Sequence, residues 1–269
     1  MKETIFYLEG RGGMYLYHFI VFNLGGLYHI LNKNYCMTDH NDSVLLDDLS
    51  KVVRVPSTEI SFPIKIYMKD ILPFQRQLFH IIKDKFELID DLSTIEDYEI
   101  VSIYGTNTYI PVDIFHFIRN LIYEKMDYKM IPGKRIFITR KNSETQHDGT
   151  LKRCIQNEKE VIPMLNKYNF EYIQLENYNT HEKIKLFMES ETILSSHSSA
   201  LTFVLFANKK AKIIEILDKG IMGEANCHYT NMCECLKLNY NRYTNIHEDY
   251  NGNFNVNVRE FEKYLISIL

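Results

Sequence analysis

The residues whose types and spacing suit chemistry are two arginines and one serine-rich turn. Arg140 follows the apolar run Arg135–Thr139, and Arg153 stands just before a helical stretch that opens at Asn157. The run Ser195-Ser196-His197-Ser198-Ser199 separates one apolar segment from another. A guanidinium is a permanent cation whose fork of donors fits phosphate oxygens two at a time. Serines ahead of a helix leave hydroxyls and unpaired backbone N–H groups at the positive end of the helix dipole. The two features together predict an anion site, and two arginines suit a diphosphate. The commoner fate of a loop arginine is solvation; convergence on one sheet edge with the serine turn puts phosphate binding ahead of it here.

Elements must bring these residues together. The stretch Glu191–Leu217 reads as a buried strand over Thr192–Leu194, the serine turn, a helix that is apolar nearly all round (Ala200 to Phe206), and a second strand over Lys212–Leu217. Such a unit is a βαβ crossover, and a helix with no polar face must be buried. Its amino end then opens at the carboxyl edge of a parallel sheet, where open α/β sheets bind ligands. Around it the spacing predicts strands over Arg135–Thr139, Phe170–Leu175 and Leu238–Tyr243. Helices are expected over Asn157–Tyr168, Thr180–Ser190, His228–Leu236 and Val258–Leu269. The chain is therefore α/β and doubly wound over this half.

The first half is harder to read. Thr4–Leu8 suggests a strand at a sheet edge, leading through the glycine-rich turn Gly10–Gly13 into an aromatic helix, Met14–Phe22, that carries His18. Val44–Leu46 is a candidate strand, and Ser61–Met68, with Pro63 in it, suggests an edge or irregular strand. Helices are expected over Phe74–Phe86 and Pro111–Met126, with a strand at Glu99–Tyr104. Pro132-Gly133 is a turn dipeptide, so the domains are set at residues 1–130 and 131–269.

Composition excludes several classes. The 31 Lys+Arg against 35 Asp+Glu give a net charge of −4, so no global basic field recruits nucleic acid and an anionic ligand must be held by local groups. Five cysteines, odd in number and irregularly spaced, argue against a disulfide framework, and Cys233-Glu234-Cys235 has the wrong spacing for a zinc knuckle. No apolar run is long enough for a membrane span, and the N-terminal stretch is too charged for a signal peptide, so a cytoplasmic location is expected. There is no dinucleotide-binding glycine fingerprint, no P-loop and no nucleophile elbow. Asp47-Asp48 and Asp90-Asp91 are adjacent rather than spaced and form no metal clamp. No metal site and no bound cofactor are expected.

In order along the chain come Ile138-Thr139-Arg140, Arg153 with Asn157-Glu158 and Glu160-Val161, Glu182 with Leu186-Phe187, Ser196-His197-Ser198-Ser199-Ala200-Leu201-Thr202, and Ile213-Ile214-Glu215-Ile216. That order resembles glycosyltransferase family 61, and Gly13–Phe19 is more weakly similar to the family's N-terminal stretch. The resemblance implies a GT-B fold, two Rossmann-like domains facing across a cleft, with the C-terminal one holding a UDP-sugar. It implies that Arg140, Arg153 and the turn Ser196, Ser198, Ser199 contact the diphosphate. Asn157 is then an N-cap, a ligand contact or both. Glu215 accepts from the ribose hydroxyls, or is an edge residue or a core ion-pair partner. His197 donates to a phosphate oxygen, or ties the turn down. Glu158 and Glu160 complement the dipole of their helix. The family's glycines beside the histidine are serines here.

A metal-independent, inverting transfer of a hexosyl or pentosyl group to a hydroxyl of a glycan or glycoprotein acceptor needs a base within reach of that hydroxyl. His18 is the first candidate, since imidazole titrates near neutrality, with a core histidine as its alternative; Asp39 and Asp113 stand behind it. The alternative function is an inactive nucleotide-sugar-binding module of the same fold.

Overall fold

The computed structural model describes residues 3–9, 27, 62–68, 71–89, 91–95, 98–104, 112–140, 153–218, 228–249 and 252–269. The chain divides into two compact units, Met1–Met126 and Asp127–Leu269.

The first unit carries strands β1 (Glu3–Glu9), β2 (Ile64–Tyr67), β3 (Phe86–Ile89) and β4 (Tyr98–Tyr104), all parallel, in the order β3-β2-β1-β4. Helices α1 (Pro73–Ile81) and α2 (Val112–Tyr123) accompany them. Three expectations are corrected here. β1 is not an edge strand, because β2 and β4 flank it. β2 is also interior; Pro63 falls one residue before Ile64, the first paired position, so the missing N–H removes no ladder bond. The expected helix Phe74–Phe86 stops at Ile81, and the fully buried Phe86 opens β3 instead. His18, Asp39, the turn Gly10–Gly13, the stretch Met14–Phe22 and Val44–Leu46 lie outside the described residues.

The second unit is a five-stranded parallel sheet of β5 (Arg135–Ile138), β6 (Phe170–Ile173), β7 (Thr192–Ser196), β8 (Lys212–Ile216) and β9 (Asn239–Tyr243). Its order is β6-β5-β7-β8-β9. Numbered within the unit this is 2-1-3-4-5, a doubly wound order whose direction reverses between the first and third strands. β7 is buried along its whole length, as a central strand covered on both faces must be. Helices α3 (Glu158–Asn166), α4 (Thr180–Glu189), α5 (His228–Cys235) and α6 (Val258–Ile268) supply the covering layers. The amino ends of α4 and α6 are capped by side chains: Asn179 accepts from the Glu182 amide at 2.9 Å, and Asn257 from that of Glu260 at 3.2 Å. A core of Phe137, Val161, Leu194, Ile214, Phe254 and Phe261 sits under one face. No helix among the described residues is long and apolar enough to cross a membrane.

Between β7 and β8 the apolar segment is helical and buried, but it is a 3₁₀ helix, Ser199–Phe206. Leu201 through Phe206 are all buried. The sequence predicts burial without distinguishing 3.0 from 3.6 residues per turn, because a segment apolar on every side has no phase. Ser195 and Ser196, expected in the turn, are the last two residues of β7. Removing Phe203, whose ring lies 5.7 Å from that of Phe187, empties the space between α4 and this helix. Phe203→Ala is expected to cost about 3–5 kcal/mol, read as a lowered urea midpoint at unchanged slope.

Candidate functional site

Strand order places the crevice of the second unit between the carboxyl ends of β5 and β7, at the switch point where α/β sheets bind ligands. Arg140 follows β5 by two residues, and His197 and Ser198 follow β7 directly. Arg140 Nη1 donates to the carbonyl of His197 at 2.9 Å, so one guanidinium bridges the crevice. Desolvation holds the Arg140 pKa below the usual guanidinium value. Among the described residues no carboxylate forms an ion pair with it. A half-buried cation with no counter-anion favours binding an anion.

The turn adds neutral donors to that charge. Ser198 stands at the N-cap position of the 3₁₀ helix, yet its side chain caps nothing. Its hydroxyl is buried with no hydrogen-bond partner, as is that of Thr202 one turn on. An orphaned buried hydroxyl costs about 1–3 kcal/mol, which a ligand acceptor can return. Leu201 N bonds to Ser198 O at 3.0 Å, leaving the amides of Ser199 and Ala200 ahead of the first helical bond. The turn's hydroxyls do not all face outward as expected. Ser195 is fully buried and donates to the Ser196 carbonyl at 2.9 Å, Ser196 is buried, and Ser199 alone is exposed. The serines at the family's glycine positions are unstrained. Ser198 has φ −162°, which is extended backbone, and none of Ser195, Ser196 or Ser198 has positive φ.

Behind the turn lies a buried polar network. Glu215, next to last in β8, is fully buried and meets His197 Nδ1 at 2.5 Å. Its other oxygen accepts from the Tyr240 hydroxyl and from Arg242 Nε at 3.3 Å. Ladder register explains this: Glu215 pairs with Arg242 across β8 and β9, and Tyr240 lies two residues back on the same face. Arg242 Nη2 also donates to Thr230 of α5 at 2.6 Å. The His197 ring sits 5.3 Å from that of Tyr229. With Nδ1 facing a carboxylate, Nε2 is the ring atom left to act, and the side chain keeps about a tenth of its exposure. Of the readings open for Glu215, the core ion-pair partner is the one its surroundings match. The carboxylate and burial also raise the pKa of Tyr240 and of the Cys233 thiol, burial first in each case, so both keep their protons.

The remaining residues are held by partners of their own. Arg153 Nε lies 3.4 Å from Glu248 Oε1, so its charge is already opposed. The Asn157 side chain does not cap α3; it clasps the backbone of Val256, donating to its carbonyl and accepting from its amide, each at 2.9 Å. Glu158 does more than complement a dipole. It is buried, accepts from the Thr139 hydroxyl and from Tyr172 at 3.2 Å, and so ties the first turn of α3 to the strand end that carries Arg140. Asp113 is exposed in the first turn of α2. Tyr240, Arg242 and Glu248 went unread in the sequence; the alternation of Tyr240 and Arg242 in β9 opposite Ile213 and Glu215 is the signal that could have found the first two. A surface groove of about 630 Å³ in the first unit, lined by Arg76, Phe79, His80 and Lys83 among others, holds no orphaned buried polar group. Among the described residues no cluster of histidine, cysteine and acidic side chains could hold a metal ion.

The second unit is a doubly wound α/β domain with a guanidinium and a helix amino end at its switch point. The family model for glycosyltransferase 61 matches residues 17–214, well over half of the chain, and the chain belongs to that family. It is a glycosyltransferase. No curated protein matches it.

Deleting the Glu215 carboxylate strands Arg242 and His197 in the interior. Glu215→Ala is expected to destabilise by about 3–5 kcal/mol, and Glu215→Gln by less because the amide oxygen still accepts. Urea unfolding of the two variants beside the parent checks the order.

Proposed function

We propose that the second unit binds a UDP-sugar and that the protein passes its sugar to a hydroxyl acceptor on a glycan or glycoprotein. The observation that carries this reading is the convergence of Arg140, His197 and the unpartnered Ser198 hydroxyl at the β5–β7 switch point. In it the diphosphate lies against the amino end of the 3₁₀ helix, with Arg140 as its fixed counter-charge and Ser198 and the amides of Ser199 and Ala200 as donors. The two units act as the halves of a GT-B enzyme, residues 1–130 on the acceptor side and residues 131–269 on the donor side.

The transfer is a single displacement. The acceptor oxygen bonds to the anomeric carbon from the face opposite the diphosphate, and the bond from that carbon to the phosphate oxygen breaks. The electron pair leaves on the diphosphate, the acceptor proton goes to His18, and the configuration inverts. His197 in its charged form donates from Nε2 to the departing phosphate, with Glu215 fixing the ring from behind. The departing charge is met by Arg140, His197 and the helix amino end, and no metal ion takes part.

Calorimetry and thermal shift test the donor half. UDP is expected to stabilise the protein and Arg140→Ala to abolish that effect; stabilisation by adenine nucleotides alone overturns the reading. In turnover of UDP-sugars, His197→Asn is expected to lower kcat by about 10²-fold. Glu215→Gln, acting through the ring, is expected to lower kcat by roughly tenfold with KM little changed. UDP binding without turnover of any UDP-sugar leaves a binding module and removes the catalytic half.

A further inference from the structure

Arg153 and Glu248 form an ion pair of an unusual kind. The two side chains retain only 16% and 4% exposure, and Arg153 Nε stands 3.4 Å from Glu248 Oε1. Charge attraction acts at that distance, yet the geometry makes no hydrogen bond. Arg153 Nε and both carboxylate oxygens are buried without a hydrogen-bond partner. A carboxylate taken out of water normally recovers its lost solvation through several directed donors. Glu248 has only the long contact with Arg153 and the neighbouring Asp218 backbone. Arg153 itself is held with φ +50°, a left-handed backbone that a non-glycine residue rarely adopts.

The charges facing Glu248 are few. Arg153 opposes it, Asp218 repels it, and the Asp218 carboxylate also accepts from the Glu248 amide at 2.7 Å. The exposed His247 leans toward Asp218 at 4.0 Å rather than toward Glu248. Arg140 feels both Arg153 and Glu248, so the pair lies within electrostatic reach of the guanidinium that bridges the crevice. We infer that Glu248 is a built-in competitor of the donor diphosphate: it occupies Arg153 while the site is free, and protonation of Glu248 hands Arg153 to the phosphate oxygens. This rests on the donor reading given above.

The direction with pH follows from the surroundings. Burial, and next the repulsion from Asp218, outweigh Arg153 and hold the Glu248 carboxyl above the usual glutamate range. A raised acid is protonated at a pH where an ordinary one is not. Below that raised value the competitor is neutral and Arg153 is available; above it Glu248 is charged and holds Arg153. Anion affinity therefore falls as pH rises, and binding near the transition takes up one proton at Glu248.

Titration calorimetry of UDP and of inorganic pyrophosphate against the whole protein and Glu248→Gln, at about pH 8 and at the lowest pH at which both proteins stay folded, tests this. The ligands' own ionisation is common to both proteins and drops out of their ratio. At the higher pH, Glu248→Gln is expected to bind roughly tenfold tighter, with the two proteins converging at the lower pH. Asp218→Asn removes a neighbouring negative charge without releasing Arg153 and is expected to leave affinity within about twofold. UDP bound equally by the parent and Glu248→Gln at both pH values overturns the inference and leaves the donor reading standing. A gain in Asp218→Asn as large as in Glu248→Gln also overturns it, because general charge removal then suffices. No binding of either ligand to either protein overturns both readings.

Discussion

One carboxylate in the middle of a parallel sheet constrains the whole second unit. Glu215 has no exposed surface, and an ionised group there is tolerable only if donors surround it. Three side chains on two elements provide them: His197 just beyond β7, and Tyr240 and Arg242 on β9. Arg242 in turn reaches Thr230 on α5. Satisfying Glu215 therefore fixes the register of β8 against β9, the seat of α5 and the orientation of one imidazole. A slip of one residue in β9 would turn Tyr240 and Arg242 to the opposite face and leave the charge stranded. The network makes the geometry of the turn a consequence of the core.

The 3₁₀ helix fits the same constraint. β7 is five residues long, so the return path from its carboxyl end to the start of β8 must cover about 16 Å. Eight residues at the 3₁₀ rise span about 16 Å, whereas an α-helix of eight would span about 12 Å. The helix covers most of that distance, its apolar side chains buried, and residues 207–211 complete the return to β8. The turn that feeds it stays short, and the amides of Ser199 and Ala200 remain directly beyond the strand end where Arg140 crosses.

How much of this was legible follows from which signals were local. The strands and helices of the second unit could be read because apolar runs and punctuation such as Pro132-Gly133 state them in sequence. Arg140 and His197 were found together because each follows a strand, and strand ends of a parallel sheet share one edge. The link between His197 and Glu215 was not legible, since it depends on the register of two strands paired in space. Glu158 looked like an ordinary first-turn acid; only the return of α3 over β5 buries it against Thr139 and Tyr172. Asn157 looked like a cap, but the segment before α6 reaches its amide first. In the first unit, β1 and β2 were read as edges because position within a sheet leaves no mark on a short strand, and β3 has only four residues.

Arg140 and Arg153 then differ in kind. Arg140 has a backbone carbonyl as its partner and, among the described residues, forms no ion pair. Arg153 faces a buried carboxylate with both oxygens short of donors. A site built from the first alone would hold an anion with constant strength, and one built from the second alone would have almost no net charge to offer. Serine in place of glycine fits this economy of charge. At extended φ a serine costs the turn nothing, and the Ser198 hydroxyl supplies a neutral donor where a glycine would supply only its amide.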